Sequence, residues 1–258
     1  MFAEERHRLI TEMIAGNGKV TVAELSARFD ITRETVRRDL AQLESEGTLR
    51  RVHGGAVSTL AASTREESHS ERSTIHAEAK ARIAQAAHRL LPGDGVSVML
   101  DAGTSTEILA GLIAQNSANT PSLVITHALP IAARIAANPQ ISLELIGGRV
   151  RGLTSAATGA GTVEQFSRLS ADIAFLGTNA LHSTFGLSTP DPLEATVKTA
   201  MAASAQRVVV LADSSKFERL TLVQFAKIDA IDTLVTDAAP TGELAAALEA
   251  ADVEVVLA

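Results

Sequence analysis

Residues 32–56 read TRETVRRDLAQLESEGTLRRVHGGA. Val36, Leu40 and Leu43 recur at i, i+4 and i+7, the spacing of one buried face of an α-helix. Thr32 is a good N-cap, because its hydroxyl can accept from a first-turn N–H. The spacing therefore predicts a helix over residues 33–45, stopped by Gly47. Residues 48–56 then predict a short β-ribbon ending in a glycine turn. What this pattern leaves outside is basic. Arg33 and Arg37 are four apart and share a face, Arg38 lies beside them, and Thr35 sits on the first turn. Arg50 and Arg51 stand on the ribbon, followed by His53.

Two more helices precede this unit. Residues 4–15 carry Leu9, Ile10, Met13 and Ile14 on one side, and Gly16-Asn17-Gly18 end them. Thr21 can cap a short second helix that buries Leu25 and Phe29, before a turn at Asp30-Ile31-Thr32. Three helices and a ribbon make a helix-turn-helix with a wing. In that plan the start of the third helix enters the major groove. An arginine there can donate two hydrogen bonds to guanine O6 and N7, or pair with phosphate. Arg50 and Arg51 would reach the backbone or a minor groove. For any single arginine the alternative is a solvated charged face, with Glu34, Asp39, Glu44 and Glu46 as partners. The constellation, Thr32, Arg33, Thr35, Arg37, Arg38, Arg50, Arg51 and His53, points to double-stranded DNA.

Composition narrows the classes. The chain of 258 residues has no cysteine, which excludes disulfides, thiolate metal sites and a cysteine nucleophile. It has no Trp or Tyr and only 7 Phe, so an aromatic platform for stacked bases is not expected. Its seven histidines form no i, i+4 pair, so no metal motif appears; no cofactor is expected. No apolar run approaches the roughly 18–20 residues that span a bilayer. The charged start has no apolar stretch behind it, and a cytoplasmic protein is expected. Net charge is −7, yet residues 1–57 hold nine basic and nine acidic residues, so the whole deficit lies in the other 201.

Residues 1–57 thus read as one domain and 76–258 as another. Residues 58–75 read as a linker, from a run (57–75) in which eight of 19 residues are Ser or Thr. In the second domain, short apolar runs at 95–100, 122–126, 142–146, 172–177, 207–212, 232–236 and 253–257 predict buried strands. Helical stretches at 76–91, 105–115, 128–137, 192–205 and 242–250 alternate with several of them. The fold class expected is α/β: a winged helix-turn-helix followed by a doubly wound, mostly parallel sheet.

Ligands bind beyond the carboxyl ends of such strands, and polar clusters are found there. Asp101-Ala102-Gly103-Thr104-Ser105-Thr106 opens a helix directly after a strand. Gly103 lets backbone approach a ligand, and Thr104, Ser105 and Thr106 add hydroxyls to free N–H groups at a positive helix end. That is a phosphate cradle, although a Ser/Thr-rich start is also an ordinary cap. Asp101 would repel phosphate and suits a sugar hydroxyl or a lysine. Other strand ends supply His127, Gly148 with Arg149, Gly177 with Asn179, and Lys216, the last alternatively an exposed turn lysine. Glu194 and Lys198 have the spacing of a surface ion pair, but a pocket role follows if the preceding Asp191-Pro192 lies near a glycine-rich loop. Arg149 and Arg151 fit solvated loop residues equally well.

Glu4-Glu5-Arg6, Gly18-Lys19-Val20, Leu25, Phe29, residues 35–40 (TVRRDL) and residues 51–56 (RVHGGA) resemble the N-terminal domain of the DeoR family, bacterial transcriptional regulators that mostly repress sugar-utilisation operons. DAGTST, GGRVR, FLGTNAL, GLSTPDPLEATVK and VVVLADSSKF resemble its effector domain, similar in fold to ribose-5-phosphate isomerase and to the glucosamine-6-phosphate deaminase and CoA-transferase group. The resemblance implies a winged helix-turn-helix on operator DNA, released by a phosphorylated sugar held at the residues above. Paired half-sites imply a homodimer or homotetramer. His127 departs from the family, which commonly has Asn there. The alternative is a sugar-phosphate isomerase with a DNA-binding appendage, using Asp101, Glu194 and Lys216; the attached DNA-binding unit favours the regulator, which is not an enzyme.

Overall fold

A computed structural model describes residues 3–17, 19–45, 48–52, 54–58, 66, 68–93, 95–115 and 120–258. The chain forms two compact units, Met1–Arg65 and Glu66–Ala258. No helix among the described residues is long and apolar enough to cross a membrane.

The first unit has the expected three helices, α1 (Ala3–Asn17), α2 (Val22–Phe29) and α3 (Arg33–Ser45). Thr21 and Glu24 cap α2 reciprocally. The ribbon is β2 (Leu49–Val52) with β3 (Gly55–Ser58), and a strand not anticipated, β1 (Lys19–Thr21), completes a sheet in the order β1-β3-β2. Gly55 lies so close to β1 that a Cβ would sit 2.0 Å from the Val20 carbonyl oxygen, so only glycine fits there. The apolar positions of the three helices, Ile10, Ile14, Leu25, Val36, Leu40 and Leu43, share one core with Val20, Leu49 and Ala56.

Asp39 corrects the sequence reading. It turns inward from α3 and takes two bonds from Arg6 on α1, at 2.6 and 2.9 Å, with His7 Nε2 at 3.1 Å. Burial pushes its pKa up, but the Arg6 guanidinium and His7 outweigh that and hold it below the ordinary carboxylate value. It is a cross-brace between helices and not part of an exposed charged face.

The second unit is a seven-stranded parallel sheet in the order β15-β14-β12-β9-β4-β5-β6, from β4 (Ser97–Leu100), β5 (Leu123–Thr126), β6 (Ser142–Leu145), β9 (Ala171–Gly177), β12 (Ala205–Leu211), β14 (Thr233–Thr236) and β15 (Glu254–Leu257). The chain runs outward from β4 to β6, returns to β9 beside β4, and runs outward again to β15. The order reverses between β4 and β9, which opens a crevice at their carboxyl ends. Along β9 the pleat sends Ile173 and Phe175 to one face and Ala174 and Leu176 to the other. The first face is covered by α5 (Ala77–His88), α6 (Thr104–Gln115) and α7 (Leu129–Ile135). The second is covered by α8 (Ala160–Ser167), α9 (Pro192–Ala203) and α10 (Gly242–Ala250).

Three features depart from the sequence reading. Residues 58–75 are not all linker: α4 (His69–Thr74) lies within them, capped reciprocally by Ser68 and Glu71, and belongs to the second unit. A hairpin of β7 (Arg149–Arg151) with β8 (Ala156–Thr158) follows β6, where a plain loop was expected. A small antiparallel sheet of β10 (Ala180–His182), β11 (Gly186–Thr189) and β13 (Val223–Ala226) stands beside the main one. These strands are three or four residues long, too short for alternation to show.

Candidate functional site

The first unit presents a basic face on α3. Thr32 Oγ1 accepts the Thr35 N–H at 3.2 Å and lies 2.9 Å from its hydroxyl, which fixes the first turn. Val36, Asp39 and Leu40 turn inward, so Arg33, Arg37 and Arg38 are exposed. Arg37 lies 3.4 Å from Glu34, with both side chains more than 60% exposed (61% and 72%), and a pair so hydrated contributes little. Arg33 and Arg38 have no ion pair among the described residues. Arg51 donates its backbone N–H to Glu44 at 2.8 Å, which ties the ribbon to the end of α3. Arg50 lies opposite Val57 in the β2–β3 register. His53, Glu46 and Gly47 lie outside the described residues.

The second unit holds a polar pocket at the crevice between β4 and β9. Its foundation is Asp101, fully buried just after β4. One carboxylate oxygen accepts the Gly103 N–H at 2.9 Å and the Thr106 hydroxyl at 2.7 Å. The other accepts the Gly177 N–H at 2.7 Å and Lys198 Nζ. Lys198 also donates to the Gly177 carbonyl at 2.9 Å and sits 5.3 Å above the Phe225 ring. Burial alone would raise the Asp101 pKa; the Lys198 charge and the hydrogen bonds outweigh it and hold the group ionised. The carboxylate therefore spends its oxygens on its neighbours, and closes the ends of β4 and β9 together.

Above it lie Gly103, Thr104 and Ser105 of the α6 start, with Gly177, Asn179, Glu194, Lys198 and Lys216. The N–H groups of the first α6 turn have no partner within the helix, and the helix dipole makes that end positive. His127 lines the same pocket. Its Nδ1 is 2.7 Å from the Ala157 carbonyl, so Nδ1 carries the proton, and Phe166 packs edge-on at 5.8 Å. That leaves Nε2 as a buried acceptor without a partner among the described residues. Burial holds the imidazole below its ordinary pKa. The histidine pKa is depressed in the folded state, so its stability contribution is present above about pH 6.5 and is lost as pH falls through the lower folded-state value. His88 is shifted the same way by burial. The expected result is a melting temperature of the second unit that falls on acidification below pH 6.5, and falls less in His127→Asn. Thermal melts of both proteins across a pH series check this; identical slopes would contradict it.

Several sequence candidates lie elsewhere. Thr106 is not a cradle hydroxyl, because it faces down to Asp101 and the Gly103 carbonyl. Gly148 lies so near α8 that a Cβ would meet Thr162 Oγ1 at 2.0 Å, a packing requirement. Arg149 is exposed on β7 and does not line the pocket. Glu194 and Lys198 are both buried and do not pair with each other. Glu194 accepts from Thr154 and lies 3.3 Å from Arg151. Arg151 is not a solvated loop residue: it also pairs with Glu66 at 2.7 Å and Asp191 at 3.3 Å.

The sequence reading missed Arg72, Lys80, Thr178 and Asp213, which line the pocket as well. Thr178 and Asp213 stood inside quoted strand-end motifs. Arg72 and Lys80 carried no local signal, since they reach the pocket from α4 and α5. Lys80 is buried and bonds the Arg72 carbonyl at 2.5 Å. Four cationic side chains thus border the pocket, with Glu194 and Asp213 as acceptors, an arrangement able to hold an anion and adjoining hydroxyls.

Residues 6–61 match the DeoR-like helix-turn-helix domain and residues 75–238 match the DeoR C terminal sensor domain. The chain is 35% identical to the HTH-type transcriptional regulator GlpR of Haloferax volcanii, over 99% of this chain and 98% of that one. It is 29% identical to the Glycerol-3-phosphate regulon repressor of Escherichia coli strain K12, over 92% and 91%. Ribose 5 phosphate isomerase A from Neisseria gonorrhoeae is a distant structural likeness: 12% identity, 54% of this chain and 52% of that one, TM-score 0.40. The chain belongs to the DeoR family: it is a helix-turn-helix transcriptional regulator with a C-terminal sensor domain, and not an enzyme.

Proposed function

We propose that this regulator is a cytoplasmic repressor of a sugar uptake or utilisation operon, released from operator DNA when a phosphorylated sugar fills the polar pocket of its second unit. Arg33, Arg37 and Arg38 would meet the major groove, with Thr32 and Thr35 at the start of the helix and Arg50, Arg51 and His53 on the wing. A homodimer or homotetramer would place two such helices on paired half-sites.

The observation that carries the effector reading is the opposition of two chemistries in one pocket. The unpaired first turn of α6 stands with the lysines and Arg72 for an anion, and His127 Nε2, Glu194 and Asp213 stand as acceptors for hydroxyls. A sugar phosphate has both groups. The repressor relative named for glycerol-3-phosphate carries a polyol phosphate in its name, in keeping with this class.

A thermal-shift screen of sugar phosphates beside their unphosphorylated sugars tests the reading. A ligand at 100 times its Kd stabilises the native state by about 2.7 kcal/mol, which raises the melting temperature by several degrees. The expected hit responds only with its phosphate. A response to the sugar alone, or none to any phosphate, contradicts the assignment.

A further inference from the structure

Two consecutive residues of α1 grip one carboxylate of α3. Arg6 donates from Nε to Asp39 Oδ2 at 2.6 Å and from Nη2 to Oδ1 at 2.9 Å, and His7 Nε2 lies 3.1 Å from Oδ1. His7 is the donor in this contact, because an ionised carboxylate only accepts. Arg6 and Asp39 are 8% and 6% exposed, so the fork is closed off from water and neither group is free to touch DNA.

The place of Asp39 in α3 gives the fork its leverage. It directly follows Arg37 and Arg38, the exposed residues of the same turn. The neighbours that face inward with it, Val36 and Leu40, are apolar and join the core of the first unit. Apolar contact is non-directional and tolerates a small rotation, whereas a forked ion pair fixes distance and angle together. A helix is about 10–12 Å across with its side chains, so turning α3 by about 20° carries its surface groups about 2 Å. Bidentate base contacts hold only over donor–acceptor distances of about 2.7–3.2 Å, and a slip of that size breaks them.

We propose that Arg6 is a positioning residue for sequence recognition: through Asp39, steadied by His7 from its other side, it sets the rotation of α3 about its own axis and so fixes which base edges Arg37 and Arg38 reach. The proposal rests on α3 being the helix that reads DNA. Stability alone is a poor account of the pair, since a buried ion pair is often no better for stability than apolar side chains of similar volume. Direction is what apolar side chains do not supply.

The test uses the full chain, a duplex that the protein selects from a random pool, and a shuffled duplex of the same composition. Arg6→Met/Asp39→Leu replaces the pair by apolar side chains and strands no charge, so its thermal transition should match or exceed that of wild type. Its affinity for the shuffled duplex, and the salt dependence of that affinity, should stay as in wild type, because the exposed arginines that meet phosphate are all still present. Its preference for the selected duplex should fall on the order of 10-fold, the worth of one bidentate base contact. Arg6→Lys keeps the charge without the fork and should lose part of the same preference. A pair that only stabilises the fold leaves the preference unaltered in every variant that folds. Unaltered preference in folded Arg6→Met/Asp39→Leu, or in Arg6→Lys if the double variant does not fold, overturns the proposal, and so does an equal loss on both duplexes. Arg37→Ala/Arg38→Ala is measured alongside: wild-type preference in that variant overturns the reading of α3 itself, a different result from failure of the brace.

Discussion

Replacing Lys198 by Met destabilises the second unit by about 3 kcal/mol, because it strands a charge inside the protein. Asp101 is fully buried and ionised, and Lys198 is the only cation bonded to it among the described residues. Met fills much of the lysine stem's volume, so little of the loss comes from packing. The three remaining donors, from Gly103, Thr106 and Gly177, hold the carboxylate in place without neutralising it. The double variant Asp101→Asn/Lys198→Met removes both charges and should recover part of the loss. Urea unfolding of the four proteins of this cycle measures the coupling. A loss below about 1 kcal/mol in Lys198→Met, with no coupling to Asp101, would show that the bond is incidental.

The second large effect is on DNA. Arg37→Ala and Arg38→Ala should each cost about 1–3 kcal/mol of operator binding where the side chain makes a bidentate base contact, and relax specificity at one position. Neither side chain is part of the fold. Among the described residues Arg37 has only its exposed contact with Glu34 and Arg38 has no ion pair, so stability should be unchanged. A phosphate-only role gives a different signature: uniform weakening across sequences and a shallower salt dependence. Titrating labelled duplexes at several salt concentrations separates the two. Operator binding untouched in the double variant removes α3 from the interface.

How much of this was legible follows from where each signal resides. The helix over residues 33–45 and the strand-to-helix step at Asp101 were readable because a periodic apolar face and a Ser/Thr-rich cap are local patterns. The partners of Asp39 and Asp101 were not. Arg6 lies 33 residues from Asp39, and Lys198 lies 97 from Asp101, so only the fold brings them together. Glu194 and Lys198 show the converse: an i, i+4 spacing that suggests a surface pair is satisfied by two separate buried partners. Thr106 could not be told from Thr104 and Ser105 by composition, although one residue along a helix turns its hydroxyl from the pocket to the floor. The α4 helix was hidden by its serines, yet Ser68 and Glu71 had the spacing of a reciprocal cap, a signal that was there to read.

If a phosphorylated sugar in the pocket releases the regulator from DNA, a block at the pocket must abolish that release. Gly103→Val tests it, since a Cβ there would crowd Asp101 Oδ1 and Thr106 Oγ1, each at 3.0 Å, and obstruct approach to the α6 start while leaving the first unit untouched. Fluorescence anisotropy follows a duplex selected by the protein from a random pool, with the sugar phosphate found by thermal shift added stepwise. Wild type is expected to let go of the duplex, whereas Gly103→Val, folded by its thermal transition, binds it equally well and stays bound. Release of both proteins at the same sugar phosphate concentration would contradict it.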